Sequence, residues 1–156
     1  MKKILVVLLV LLLAACSTPA TRETFDGLER LSFEEYQAFL DEGKSGVIYF
    51  GWTDRCPDSK MIQENYLYEL VSKEEGVRSN MYVVDLDVVA PDSLTDKDLR
   101  QPMMDQFGVQ YGPTLLNVVD GQLVDMIEWT PLTADDETAI PRDTIDTFFA
   151  ESGYLN

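Results

Sequence analysis

Residues 46–60, GVIYFGWTDRCPDSK, combine an apolar run with the start of a helix, and they include one of the chain's two cysteines. Val47 to Phe50 is a continuous apolar run between two glycines. This pattern predicts a strand that is covered on both faces, as in a parallel sheet. Pro57 suits the first turn of a helix, where its missing N–H removes no hydrogen bond. Cys56 is therefore predicted at the N-terminus of a helix that follows a buried strand.

The rest of the domain alternates between helix and strand patterns. Ser32 and Glu35 have capping-box spacing, which predicts a helix that ends near Gly43. The other predicted elements are an amphipathic helix after Pro57, a strand over 81–86, a helix over 94–107 broken at Pro102, hairpin strands over 114–119 and 123–129, and a helix after Pro141. This order predicts an α/β fold, a three-layer α/β/α domain with a mixed central sheet of four to five strands.

The N-terminus has the pattern of an export signal. Its apolar run, Ile4–Leu13, is too short for a permanent membrane-spanning helix and follows a positively charged start. The run ends in Leu13-Ala14-Ala15-Cys16, which resembles the lipobox of bacterial lipoproteins. That resemblance implies that residues 1–15 are removed and that Cys16 carries a diacylglycerol lipid. The alternative is an Ala-x-Ala cleavage site beside an incidental cysteine.

A polar segment separates the predicted signal from the folded domain. Residues 16–27 lack an apolar period, which predicts a flexible tether, and residues 28–156 form the predicted domain. We therefore expect a lipid-anchored protein on the extracytoplasmic face of the cell membrane, or at the outer membrane if the host is Gram-negative.

The chain is strongly acidic, with 12 basic and 28 acidic residues and a net charge of −16. Loss of Lys2 and Lys3 with the signal would leave 10 basic residues and a net charge of −18. Such a charge disfavours nucleic acid and anionic lipid surfaces, so membrane contact is expected through the lipid alone. Solubility on a crowded cell surface is sufficient to explain the acidity.

Two separated motifs resemble those of the thioredoxin superfamily, and the match extends from Leu28 to Asn156. The first is WTDRCPDSK at 52–60, and the second is FGVQYGPTLL at 107–116, which resembles the segment that holds the cis-proline of the family. The resemblance implies that Cys56 is the reactive thiol. It also implies that Gly112 and Pro113 lie beside it in a groove for an extended peptide. The alternative for Pro113 is an ordinary trans proline at the start of a strand.

The chain also departs from the family pattern. Ser59 replaces the resolving cysteine, Phe50 stands at the position of a buried acidic residue, and Arg55 replaces a tryptophan. Release of a mixed disulfide normally requires the second thiolate, and a serine hydroxyl cannot perform that attack. If Cys16 carries lipid, Cys56 is the one remaining thiol and must react with a partner. The predicted site contains Cys56 and Ser59, with substrate contacts from the set Trp52, Arg55, Pro57, Gly112 and Pro113.

Some local charges around Cys56 favour ionisation of its thiol, and others oppose it. The free N–H groups of a helix start stabilise a thiolate, and Arg55 adds a positive neighbour. Asp54 and Asp58 oppose ionisation, so the sequence leaves the net effect on the thiol undecided. The flanking charged residues predict that Cys56 is exposed. The alternative is an inert cysteine that is packed as a small hydrophobic residue.

Several classes of chemistry are excluded or disfavoured. The chain has no histidine, so imidazole metal sites and Ser-His or Cys-His catalysis are excluded. The aspartate clusters lack calcium-loop spacing, and we predict neither a metal site nor a cofactor.

Three functional hypotheses remain. The first is monothiol exchange with extracytoplasmic protein thiols or disulfides, or with a partner oxidoreductase, by a protein expected to be monomeric. The second is a redox-inactive binding module that uses the groove at Gly112 and Pro113. A third is an accessory role in secretion or bacteriocin export, which some thioredoxin-like proteins are thought to have.

Overall fold

The computed structural model describes residues 23–155. The predicted signal peptide, the lipobox with Cys16 and the first part of the predicted tether lie outside the described residues. The strands are β1 (Glu29–Arg30), β2 (Gly46–Gly51), β3 (Met81–Asp85), β4 (Thr114–Val119) and β5 (Gln122–Glu128). The helices are α1 (Phe33–Asp41), α2 (Pro57–Ile62), α3 (Tyr68–Lys73), α4 (Glu75–Asn80), α5 (Leu86–Val89), α6 (Gln101–Phe107) and α7 (Arg142–Ser152).

The five strands form one mixed sheet in the order β1-β3-β2-β4-β5. Strand β2 pairs in parallel with β3 and antiparallel with β4, and β5 continues the antiparallel side. All six residues of β2 are buried, as the apolar pattern predicts for a central strand.

Two apolar cores cover the two faces of the sheet, which makes the domain three layers thick. On one face, Tyr49 of β2 packs with residues of α3 and α7. On the other face, Phe50 of β2 packs with residues of α1 and α6, and Cys56 belongs to this second core. The predicted α/β/α fold with a mixed sheet is confirmed.

The N-terminal boundary of the domain lies earlier than predicted. Thr24 and Phe25 are buried, so the predicted tether over 16–27 extends too far along the chain. The Phe25 ring lies 4.6 Å from the ring of Tyr49, and the Thr24 hydroxyl donates to the carbonyl of Gln63 at 3.3 Å. A single apolar residue among polar ones has no periodicity, which is why the sequence did not indicate this anchor.

Three helical regions refine the predictions. The capping box at Ser32 and Glu35 is present, and α1 begins at Phe33. The helix after Pro57 is interrupted by a π-helical turn, Gln63–Leu67, before it continues as α3. The region over 94–107 consists of short pieces, and Pro102 lies in the first turn of α6, where it breaks no hydrogen bond. Among residues 23–155, no helix has the length and apolarity needed to cross a membrane.

Candidate functional site

Cys56 is the N-cap residue of α2. Its backbone is extended, with φ −87° and ψ 122°, and Pro57 occupies the first turn as predicted. The Cys56 side chain makes no capping hydrogen bond to the helix. The start of α2 therefore leaves its first N–H groups without a side-chain acceptor from the N-cap residue.

The predicted exposure of Cys56 is wrong, because the residue is only 6% exposed and packs in the second core. The neighbouring Asp54, Arg55 and Pro57 are exposed, whereas the sulfur turns inward. Charged neighbours in sequence therefore report the exposure of the loop and not that of the thiol.

The second predicted motif lies directly beside this thiol. The Gly112–Pro113 peptide bond is cis, so the alternative of an ordinary trans proline is wrong. The Cys56 Sγ atom lies 4.0 Å from the carbonyl oxygen of Gly112. Residues 56 positions apart in sequence are thereby brought into contact, as the resemblance implied.

Trp52 supports this loop from inside the protein. A Cβ atom on Gly112 would lie 3.0 Å from the Trp52 ring, so only glycine fits at this position without displacement of a neighbour. Trp52 itself is 1% exposed. Its predicted contact with substrate is therefore wrong for the side chain, which positions the Gly112 loop from below.

Arg55 is held by the carboxylate of Asp87, which lies in α5, directly after strand β3. Asp87 Oδ2 accepts hydrogen bonds from the backbone N–H groups of Asp54, at 2.8 Å, and of Arg55, at 3.2 Å. The Arg55 guanidinium pairs with Asp87 and donates to the carbonyl of Pro91. Arg55 is half-exposed, but these bonds direct its charge toward the Asp87 loop and not toward Cys56.

Ser59 lies on the inner side of α2. It is fully buried, and its Oγ has no hydrogen-bond partner among residues 23–155. The hydroxyl faces that of Tyr49, which is equally buried and makes no well-formed hydrogen bond with a described residue. Burial raises the pKa of Tyr49, so this phenol stays neutral. The Ser59 side chain is therefore enclosed by protein and does not reach solvent.

Two further residues, Glu128 and Arg100, shape the site, and the sequence did not reveal the role of either. Glu128 Oε1 accepts hydrogen bonds from the backbone N–H groups of Gln110, at 2.7 Å, and Tyr111, at 2.8 Å, and so holds the loop before Gly112. The guanidinium of Arg100 lies 4.8 Å from the centre of the Trp52 ring. For Asp87, which holds Arg55, the sequence did offer a signal. It is a polar residue shortly after a buried strand, and the carboxyl ends of parallel strands meet at one edge of the sheet.

The comparisons with known proteins bear on the fold. No protein-family model matches the chain, and a comparison with curated proteins finds no match. Chlamydomonas reinhardtii thioredoxin f2 is similar in structure, with a TM-score of 0.54 and 15% identity over 83% of this chain and 100% of that chain. Malassezia sympodialis thioredoxin has a TM-score of 0.52 and 17% identity over 80% of this chain and 92% of that chain.

A third similar chain comes from a structure that concerns the thiol resolving mechanism of yeast mitochondrial 1-Cys peroxiredoxin via the glutathione and thioredoxin systems. It has a TM-score of 0.55 and 20% identity over 81% of this chain and 97% of that chain. At these identities the similarity defines the fold and no more. The chain has a thioredoxin-like fold.

Proposed function

We propose that this chain is a membrane-anchored, extracytoplasmic member of the thioredoxin superfamily that performs monothiol thiol–disulfide exchange at Cys56. The observation that carries the proposal is the contact between Cys56 Sγ and the Gly112 carbonyl, 4.0 Å apart. It places a thiol at a helix start beside a backbone segment that can pair with an extended peptide.

The chemistry requires two exchanges with external sulfur compounds. The Cys56 thiol first loses its proton to solvent, and the thiolate attacks one sulfur of a disulfide. A bond forms between Cys56 and that sulfur, the original S–S bond breaks, and the second sulfur leaves as a thiolate that is protonated by solvent. A mixed disulfide at Cys56 results.

Release of this mixed disulfide depends on another thiol, because Ser59 supplies none. An incoming thiolate attacks the partner sulfur, and Cys56 leaves as a thiolate with the electron pair of the broken bond. Attack by a second cysteine of the same substrate rearranges its disulfides. Attack by a small thiol or a partner oxidoreductase completes a transfer of reducing equivalents.

The membrane location rests on the Leu13–Cys16 motif in the sequence. With Cys16 acylated, the domain works outside the cytoplasm, where protein disulfides persist. The partners proposed are extracytoplasmic protein thiols or disulfides, or an oxidoreductase that shares the compartment.

The burial of Cys56 favours a second candidate. A thiol that is 6% exposed and packed among apolar residues also suits an inert cysteine in a binding module. In that case the segment at Gly112 and Pro113 would hold a peptide without covalent chemistry. An accessory role in secretion or bacteriocin export would use the same surface.

Trapping of mixed disulfides separates the two candidates. Cells that express the full chain or its Cys56→Ala variant are quenched in acid, the membrane fraction is alkylated, and the protein is isolated without reductant. Monothiol exchange predicts partners that disappear with Cys56→Ala and on reduction. Identical partner sets for both proteins would contradict it and support the binding module.

A further inference from the structure

A small cavity lies beside the loop that contacts Cys56, and its charge is opposite to that of the protein. The cavity has a volume of about 80 Å³. It is lined by Lys97, Arg100, Gln101, Met104, Gln110 and Tyr111, with no carboxylate among them. Four other surface cavities of the described domain are each lined by at least two carboxylates. In a chain with 28 acidic residues, a cavity with two cations and no acid is an exception.

Three carboxylates that contact or adjoin the lining residues already have partners. Glu128 accepts from the backbone of the loop at Gln110 and Tyr111, and Asp105 accepts from the Gln101 side chain at 2.7 Å. Asp96 caps the turn that carries Lys97 by accepting the N–H of Asp98 at 3.1 Å. These groups lower the local positive charge, but they do not line the cavity.

Of the two cations that line the cavity, Lys97 is free to bind a ligand and Arg100 is fixed by its own hydrogen bonds. Lys97 is exposed and makes no hydrogen bond or ion pair with another residue of 23–155. Arg100 is held in place by bonds from its Nε and Nη2 atoms to the carbonyls of Ser93, at 2.7 Å, and Leu94, at 2.9 Å. One flexible cation and one fixed cation therefore face the same small space.

The cavity adjoins the loop that contacts Cys56. Gln110 and Tyr111 form part of its wall, and Tyr111 is the neighbour of Gly112, so their Cα atoms are about 3.8 Å apart. The Gly112 carbonyl in turn contacts Cys56 Sγ at 4.0 Å. Arg100 lies on the ring of Trp52, and Trp52 supports Gly112. The cavity wall and the contact to Cys56 therefore lie on the same short loop, residues 110–112.

We infer that this cavity binds the carboxylate of a small sulfur compound that exchanges with Cys56, with Lys97 as the main recognition residue. The inference rests on the proposed function. The volume suits a carboxylate end group and excludes a whole peptide segment. A carboxylate paired with Lys97 and Arg100 gains charge-assisted hydrogen bonds that neutral or cationic compounds lack.

The exchange that this cavity assists is the release step that Ser59 cannot perform. A carboxylate-bearing thiolate attacks the partner sulfur of the mixed disulfide and takes the partner from Cys56, which leaves as a thiolate. In the reverse direction, Cys56 attacks the symmetrical disulfide of the same compound. One molecule of the thiol is then released, and the other stays bonded to Cys56 with its carboxylate in the cavity.

The test uses the reverse reaction with three symmetrical disulfides that share a two-carbon spacer between the sulfur and the end group. Full-chain protein in neutral detergent is reduced and mixed with 3,3′-dithiodipropionate, bis(2-hydroxyethyl) disulfide or cystamine, which end in carboxylates, hydroxyls and amines. Mass spectrometry of the Cys56 peptide gives each rate of adduct formation. We expect the carboxylate compound to react about three- to tenfold faster than the neutral one, although the protein as a whole repels anions.

Two substitutions of Lys97 and one control substitution locate the effect. Lys97→Gln should bring the carboxylate and neutral rates within about twofold of each other, whereas Lys97→Arg should retain the preference. Lys73→Gln is the control, because Lys73 ends α3 and does not line the cavity, so the variant removes the same charge elsewhere on the protein. Added salt should reduce the preference of the wild type.

The outcomes distinguish the cavity from the function it serves. Equal rates for the three compounds, or a preference that survives Lys97→Gln, would overturn the carboxylate site and leave exchange at Cys56 intact. Absence of any Cys56 adduct would overturn the proposed function itself.

Discussion

Helices α1 and α2 both begin at an N-cap residue with an extended backbone, but the two starts are capped differently. At α1 the Ser32 hydroxyl accepts the N–H of Glu35 at 3.1 Å, and the Glu35 carboxylate accepts the N–H of Ser32 at 2.7 Å. At α2 the N-cap is Cys56, whose sulfur makes no capping bond. The N-cap side chain of the first helix accepts an N–H group of the first turn, whereas the N-cap side chain of the second helix accepts none.

A second contrast lies within α2 itself. The buried Cys56 thiol contacts the carbonyl of Gly112, which belongs to the loop proposed to pair with a partner. Ser59, three residues later, is sealed against Tyr49 and has no hydrogen-bond partner among the described residues. The thiol proposed to attack is present at position 56, whereas position 59 has a hydroxyl, which cannot resolve a mixed disulfide. Substitutions of single residues test these two contrasts.

Ser59→Cys should have the largest effect, because it supplies the missing thiol. A Cys-x-x-Cys pair at a helix start can release its own mixed disulfide, so trapped partners should decrease by about tenfold or more. The amount of trapped partner after acid quench is the measurement. Ser59→Ala is the matched control and should leave trapping unchanged. Because the hydroxyl that it removes is unpaired, the control should not lower the free energy of unfolding. Unchanged trapping with Ser59→Cys would show that release does not depend on this position.

Ser32→Ala should have a smaller effect, on stability alone. Loss of an N-cap hydroxyl costs about 1 kcal/mol of the free energy of unfolding. Urea unfolding of the wild type, Ser32→Ala and the capping-competent Ser32→Thr measures this cost, and Ser32→Thr should stay near the wild type. The rate of adduct formation at Cys56 should be equal in the three proteins. A change in that rate would contradict the separation between a stabilising cap at α1 and a reactive one at α2.

The sequence predicted the parts of this contrast that depend on neighbouring residues. The capping box of α1, the buried strand β2 and the helix start at Pro57 are local patterns, and all three are confirmed. The contact between Cys56 and Gly112 is long-range, and it followed from the resemblance of two motifs and not from periodicity. Local sequence patterns therefore predicted the helices and strands. The two motifs predicted the contact between the start of α2 and the loop before β4.

The remaining features depend on tertiary contacts that no local pattern encodes. Asp87 clamps Arg55 from a different strand connection, and Arg100 reaches Trp52 from an irregular segment of short helical turns. The inward turn of the Cys56 sulfur is set by packing, while its charged neighbours indicated the opposite. Strand β1 has only two residues, too few for a period to be recognised.

The pH dependence of stability gives the smallest and most local test of the comparison. The hydrogen bond from the Ser32 N–H lowers the pKa of Glu35 below its ordinary value of 4.5. A carboxyl whose pKa is lower in the folded state stabilises the protein above about pH 4.5 and loses that contribution as the pH falls through the folded-state pKa. Glu35→Gln cannot ionise, so the wild type should lose more stability than Glu35→Gln between pH 7 and pH 3. Urea unfolding at both pH values measures this difference, and the contributions of all other carboxyls cancel.

Glu34→Gln is the control. Glu34 lies in the same turn but makes no side-chain hydrogen bond to a described residue, so this variant should show a smaller difference from the wild type. Parallel profiles for the wild type and Glu35→Gln would mean that the α1 cap does not depend on the charge of Glu35. The contrast with Cys56 would then rest on the Ser32 hydroxyl alone.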